Sequence, residues 1–202
     1  MGQTLTIADF EEVAPVKFAL KSPLTDAEFV ALRERYDGYR VEVSAEGEVT
    51  LLPMPYTKTN LQNTEIVFQL KLWNKQGRGG VVLGPDGDII LPNGARRAPD
   101  AAWMSKERVA ALPQWQRDTF YRIAPEFVIE LRSETDRLKA VRAKMTEYME
   151  TGSQLGWLID PEEKTVWIYR PDREPERLDN PSRIVGEGPV EGFVLDLTEV
   201  WS

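Results

Sequence analysis

Two short apolar runs, each carrying a carboxylate, constrain this chain more than any other feature. Pro99-Asp100 leads directly into Ala101-Ala102-Trp103-Met104, and Glu130, thirty residues after Asp100, interrupts Phe127-Val128-Ile129-Glu130-Leu131. Apolar runs of this length, bounded by Pro, Ser and charged residues, are expected to be buried strands. A carboxylate at the level of a buried strand is costly unless a cation compensates it. One hard divalent cation, Mg²⁺ or Mn²⁺, held by both groups would do so. Such a pair suits metal-assisted hydrolysis of a phosphodiester. The competing reading is a pair of strand-end carboxylates in salt bridges, which is the commoner outcome for this spacing alone.

Composition removes many alternatives. The 202 residues include no cysteine and no histidine. Disulfide frames, thiolate metal sites, Ser-His-Asp catalysis and His-ligated zinc are therefore closed to it. Chemistry is left to carboxylates, lysine, tyrosine, serine or a hard metal. The formal net charge is −8, which argues against a surface that coats nucleic acid and leaves room for a local basic cleft. No apolar run is long enough to span a membrane, and the N-terminus lacks a basic segment followed by an apolar core. The expectation is a cytoplasmic protein with one α/β domain over residues 1–202, an N-terminal arm over about 1–20 and a strand-containing tail over about 171–202.

Thr25 and Glu28 have capping-box spacing, so a helix is expected to about Tyr36. Tyr39–Val43 and Glu48–Leu52 alternate around Glu46-Gly47 as a hairpin. A second helix is predicted from Asn60 to Lys75, with Ile66, Val67, Leu70 and Trp73 on one face. Short strands follow around Val81–Leu83 and Ile89–Leu91, then Ala101–Met104, and Ser105 caps a short helix to about Leu112. Glu126–Leu131 is a strand, Asp136–Glu150 a helix, and Leu155–Ile159 with Thr165–Tyr169 a hairpin or neighbouring strands. The tail adds strands near Arg183–Val185 and Phe193–Leu195. This order predicts a central mixed β-sheet flanked by helices.

Several further residues are candidates. Lys144 lies about 60° from Val141 and about 40° from Tyr148 around the helix, at the border of the apolar face. Its stem can run over the core and set the ammonium above the sheet, where it could orient the attacking water. An ordinary snorkelling lysine is the bland alternative. Arg132 would share a strand face with Glu130, but a guanidinium cannot act as a base. Asn63 stands within the apolar face of its helix and needs a partner, with Gln69 at that face's edge. Glu42 could add a third carboxylate. Arg96 and Arg97 form a basic spot before Pro99-Asp100, and Arg137, Lys139, Arg142 and Lys144 give the long helix a basic side. Both could meet phosphates or simply be solvated.

Longer blocks then become recognisable: Leu91-Pro92-Asn93-Gly94-Ala95 before Ala98-Pro99-Asp100-Ala101-Ala102-Trp103, and Phe127-Val128-Ile129-Glu130-Leu131-Arg132-Ser133 before Lys144-Met145-Thr146-Glu147-Tyr148 and Leu155-Gly156-Trp157-Leu158-Ile159-Asp160-Pro161. Over roughly Leu24 to Tyr169 the chain resembles the Uma-two family, restriction-endonuclease-like proteins of the PD-(D/E)XK nuclease superfamily. The resemblance implies a restriction-endonuclease-like core and a divalent metal on Asp100 and Glu130. Arg132 stands where the signature lysine would be, and the resemblance implies that a helix lysine, here Lys144, replaces it. Asn63 occupies a position where many members carry histidine. Dimers are common in the family, which would pair two sites for two strands.

The leading expectation is a Mg²⁺- or Mn²⁺-dependent endonuclease acting on DNA as a homodimer. Asp100 and Glu130 would bind metal, Lys144 would position water, and Arg97 with the basic helix side would hold the backbone. Two alternatives stand beside it: a non-catalytic homo-oligomer with a nuclease-like fold, and a metal-dependent hydrolase of a small phosphorylated substrate.

Overall fold

The computed structural model describes residues 15–202, so most of the expected N-terminal arm, residues 1–14, lies outside the described residues. The remainder of that arm contains a strand, β1 (Val16–Ala19). Helix α1 (Asp26–Arg35) starts as Thr25 and Glu28 predict. The Glu28 N–H donates to Thr25 Oγ1 at 3.3 Å and the Thr25 N–H donates to Glu28 Oε2 at 2.8 Å. Strands β2 (Tyr39–Val43) and β3 (Glu48–Pro53) form the expected hairpin. Helix α2 (Thr57–Lys75) starts three residues earlier than its apolar periodicity suggests.

Next come β4 (Val81–Leu83), β5 (Ile89–Ile90), β6 (Arg96–Arg97), β7 (Ala101–Met104), α3 (Lys106–Ala111), α4 (Gln114–Arg117) and β8 (Phe127–Leu131). Helix α5 (Leu138–Glu150) then leads to β9 (Leu155–Asp160), β10 (Thr165–Tyr169), β11 (Glu176–Asp179), β12 (Arg183–Val185) and β13 (Val194–Asp196). These strands build a five-stranded sheet in the order β1-β3-β2-β6-β5 and a six-stranded sheet in the order β11-β10-β9-β8-β7-β4, with β12-β13 apart. The short strands β4 and β5 therefore belong to different sheets, and the chain changes sheet at the Pro85-Asp86-Gly87 turn.

The larger sheet is mixed: β8 and β9 run parallel and its other neighbours antiparallel. A parallel pair needs a crossover, and α5 supplies it. Strand β8 is buried along its whole length, as expected when helices cover both faces. Phe127, Ile129 and Leu131 pack with Ile66, Leu70 and Trp73 of α2 and with Phe193, Leu195, Leu197 and Val200 of the tail. Val128 instead packs with Val141, Met145 and Tyr148 of α5. Strand alternation thus sends Glu130 to the α5 side. Phe193 stacks on Trp157 with ring centroids 5.6 Å apart, which seals the tail into the core.

Asn74 closes the end of α2. Its Oδ1 accepts from the Gly80 N–H and from Trp103 Nε1, each at 2.9 Å, and its Nδ2 donates to the Gly80 carbonyl at 2.8 Å. A Cβ on Gly80 would sit 2.3 Å from Trp103 Nε1. The indole is rigid and held, so Gly80→Ala should destabilise the fold by about 1–3 kcal/mol, as overpacking does. Urea unfolding of both forms, with equal m-values, checks this.

Candidate active site

Two strand ladders end at one place. In the β7–β8 ladder Ala101 faces Ile129, so one further step sets Asp100 opposite Glu130. In the β2–β6 pairing Val43 faces Arg96, so one further step sets Glu42 opposite Arg97. Only Ala98 and Pro99 separate Arg97 from Asp100, so the end of one sheet is tied to the end of the other. Helix α5 crosses this seam and presents Lys144 and Tyr148, one turn apart and on the same side. Glu42, Asp100 and Glu130 are each 5% exposed or less.

The contacts are dense. Lys144 Nζ donates to Glu42 Oε1 at 2.6 Å and lies 2.9 Å from Glu130 Oε1 and 3.0 Å from Glu130 Oε2. Tyr148 Oη donates to Glu130 Oε1 at 2.9 Å. Asp100 Oδ2 accepts from the Leu131 N–H at 2.8 Å, and Asp100 Oδ1 accepts from Arg40 Nη1 at 3.1 Å and Asn63 Nδ2 at 3.2 Å. Arg97 reaches Glu42 at 3.6 Å and donates from Nε to Glu147 at 2.6 Å.

Burial, with Asp100 and Glu42 close by, pushes the Glu130 carboxyl up to about 7 in spite of Lys144. Burial acts the same way on Glu42, but Lys144, Arg97 and Arg40 together outweigh it and hold that carboxyl below its usual range. Lys144 loses solvation on burial, yet Glu130 and Glu42 raise it above an ordinary lysine, so it stays an ammonium. Burial, then the charges of Glu130 and Glu42, push the Tyr148 hydroxyl well up and keep it a donor.

These donors suit a hard cation. Among the described residues Asn63 Oδ1 is buried without a hydrogen-bond partner, beside the carboxylate its own amide nitrogen contacts. A buried acceptor in that state calls for a proton donor or a cation. Glu130, crowded by two carboxylates, would also be relieved by positive charge. Among the described residues no three acidic groups yet converge as a metal cage. The Lys144 ammonium stands between Glu42 and Glu130 instead.

Residues 26–198 match the Uma2 family, described as "Putative restriction endonuclease". The chain belongs to the Uma2 family. A solved structure described as "a putative nuclease belonging to DUF820" from Anabaena variabilis superposes with a TM-score of 0.72 at 26% identity, over 89% of this chain and 98% of that one. No curated protein matches. The Uma2 assignment and the structural match agree with the nuclease-like α/β fold expected from the blocks around Asp100 and Glu130.

Within this Uma2 chain, Asp100, Glu130, Lys144, Glu42 and Asn63 come together, and Arg97 joins them through Glu42. Arg97 differs from expectation, because both its partners are carboxylates inside the protein and it is not a free phosphate contact. Arg96 likewise is buried, paired with Asp26 at 2.7 Å and stacked 4.6 Å from the Phe29 ring centroid. Arg132 is tied to Asp160 at 2.8 Å rather than to the cluster. Gln69 is bonded to the Asp196 backbone in both directions and holds the tail. The basic side of α5 is broken as well, since Arg142 lies over the Trp167 ring at 4.1 Å and Lys144 points inward. Arg40 and Tyr148 also bond to this cluster, through Asp100 and Glu130, and the sequence reading passed over them. Arg40 is two before Glu42 on one strand and Tyr148 four after Lys144 on one helix, and both spacings could have flagged them.

Glu130 gives a pH dependence. Its folded value, about 7, lies above the ordinary 4.5, so the folded state holds a proton that the unfolded state releases. Its contribution to stability is present below about pH 4.5 and is lost as pH rises through about 7. In metal-free protein, Glu130→Gln should match wild type near pH 4 and melt at a higher temperature near pH 8. Thermal melts across that range check the sign.

Proposed function

We propose that this chain is a Mg²⁺- or Mn²⁺-dependent endonuclease that hydrolyses DNA phosphodiester bonds in the cytoplasm. The observation that carries the reading is the Lys144 ammonium at 2.9 Å from Glu130, beside an Asp100 that continues the same ladder. Asp100 and Glu130 would hold the metal, with Asn63 Oδ1 and Glu42 at hand. The bound ion would supply an activated water and screen the phosphate. Tyr148 keeps Glu130 oriented through its hydrogen bond, and Arg40 and the Leu131 N–H do the same for Asp100. Lys144, charged and next to both carboxylates, positions the water and stabilises charge growing on the phosphate. It fills the role that Arg132, bonded to Asp160, is not placed to take. Arg40 keeps a quarter of its side chain exposed and can touch a phosphate from the open side. Two copies in a homodimer would bring one site to each strand.

The test is nicking of supercoiled plasmid with Mn²⁺ or Mg²⁺. Wild type should nick only with metal, and Asp100→Ala should fall to background. Lys144→Ala should lose about 100-fold or more, the scale for removing one transition-state donor. Metal binding by calorimetry without any nicking would favour a silent nuclease fold. Activity that survives Asp100→Ala would sink the assignment.

A further inference from the structure

A groove of about 450 Å³ opens beside the carboxylate cluster. Arg40 and Asn63 line it, and these are the two side chains that hold Asp100 Oδ1. The groove is therefore continuous with the site. Its other walls are largely apolar: Met54 just after β3, Val67 and Phe68 from α2, and prolines on either side. Met54 and Phe68 are each 58% exposed, which is a large apolar surface to leave beside a polar centre. Lys71 lies on the groove too, one turn along α2 from Val67 and Phe68.

This combination selects an occupant. The volume is that of a small-molecule pocket, adequate for one nucleotide and too small for a duplex. A net charge of −8 disfavours binding by coating a duplex backbone. Binding of single strands relies instead on an aromatic platform for a base, with a few cations for the phosphates. The groove has both. Asp86 is the one carboxylate among the described residues of its lining and repels phosphate. A nucleotide would thus set its phosphate toward Arg40 and its base against the apolar walls.

We propose that this groove is a subsite for one unpaired nucleobase flanking the scissile phosphate, stacked on Phe68. The preferred substrate is then single-stranded or locally unpaired DNA rather than intact duplex. This inference rests on the nuclease reading above.

Two measurements separate the inference from that reading. The first compares Mn²⁺-dependent kcat/KM on a single-stranded oligonucleotide and on the same sequence as a blunt duplex. Wild type should prefer the single strand, and Phe68→Ala should lower its kcat/KM by about 5- to 150-fold, the range for loss of one base-stacking platform. The second needs no cleavage: NMR titration of the whole protein with dAMP and with deoxyribose 5-phosphate. Wild type should bind dAMP more tightly, and both Phe68→Ala and the groove-filling Thr64→Trp should remove that difference. Both positions are exposed on α2, so the fold should be kept. Equal binding of the two ligands by wild type would overturn the subsite, even if Asp100-dependent cleavage is found. So would a Phe68→Ala variant that only turns a dimer into a monomer, since the face would then be a self-association surface. Phe68-dependent dAMP binding without any Asp100-dependent cleavage would support the subsite and remove the nuclease reading.

Discussion

The ammonium of Lys144 is what makes the interior of this chain tenable. Glu42 belongs to the five-stranded sheet, Glu130 to the six-stranded sheet and Lys144 to the crossover helix, and the three meet within 2.6–2.9 Å. Each carboxylate alone would be expensive to bury. Together they hold a charged lysine out of water, and the lysine holds the sheets at a fixed separation. Removing the lysine from such a buried cluster costs about 3–5 kcal/mol, because the carboxylates are left short of compensating charge. The seam between the sheets is therefore an electrostatic joint as well as a hydrophobic one.

That joint is imperfect in an informative way. Glu130 remains pushed up to about 7 although Lys144 and Tyr148 both reach it, and Asn63 Oδ1 remains unpartnered. A perturbed carboxylate in a cleft is a mark of function; an unpartnered polar atom alone is not, since Ser153 Oγ and Trp157 Nε1 are also buried without a partner among the described residues. The same two features would be relieved by added positive charge. Arg40 and Asn63 also link the cluster to the open groove, so a group bound there would be felt at Asp100.

Much of the candidate cluster was legible because local pattern placed its members. A carboxylate inside an apolar run stands out, and Asp100 and Glu130 did. Lys144 sat at the edge of a well-defined helix face, where a long side chain can turn inward. Arg96 and Arg97 read as a basic spot that could bind phosphate or be solvated, because a two-residue strand such as β6 has no periodicity to detect. Their burial depends on Asp26, Glu42 and Glu147, partners distant in sequence. Gln69 and Arg132 went the same way: each sits at a suggestive spacing, and each is claimed by a backbone or carboxylate from a later strand.

The sequence by itself determined the elements and the chemistry available. Without histidine or cysteine, and with carboxylates set in two apolar strands, a hard-metal or ion-pair site was the outcome left open. Strand alternation and helix periodicity then assigned most side chains to a face. Only the tertiary structure decided which faces meet. Glu42 and Lys144 stand 102 positions apart and bond at 2.6 Å, and no local pattern encodes that. Whether an arginine is a free phosphate contact or a buried counterion depends on which carboxylate the fold carries to it. Coulomb attraction acts through space, whereas spacing along the chain reports only on neighbours within the same element.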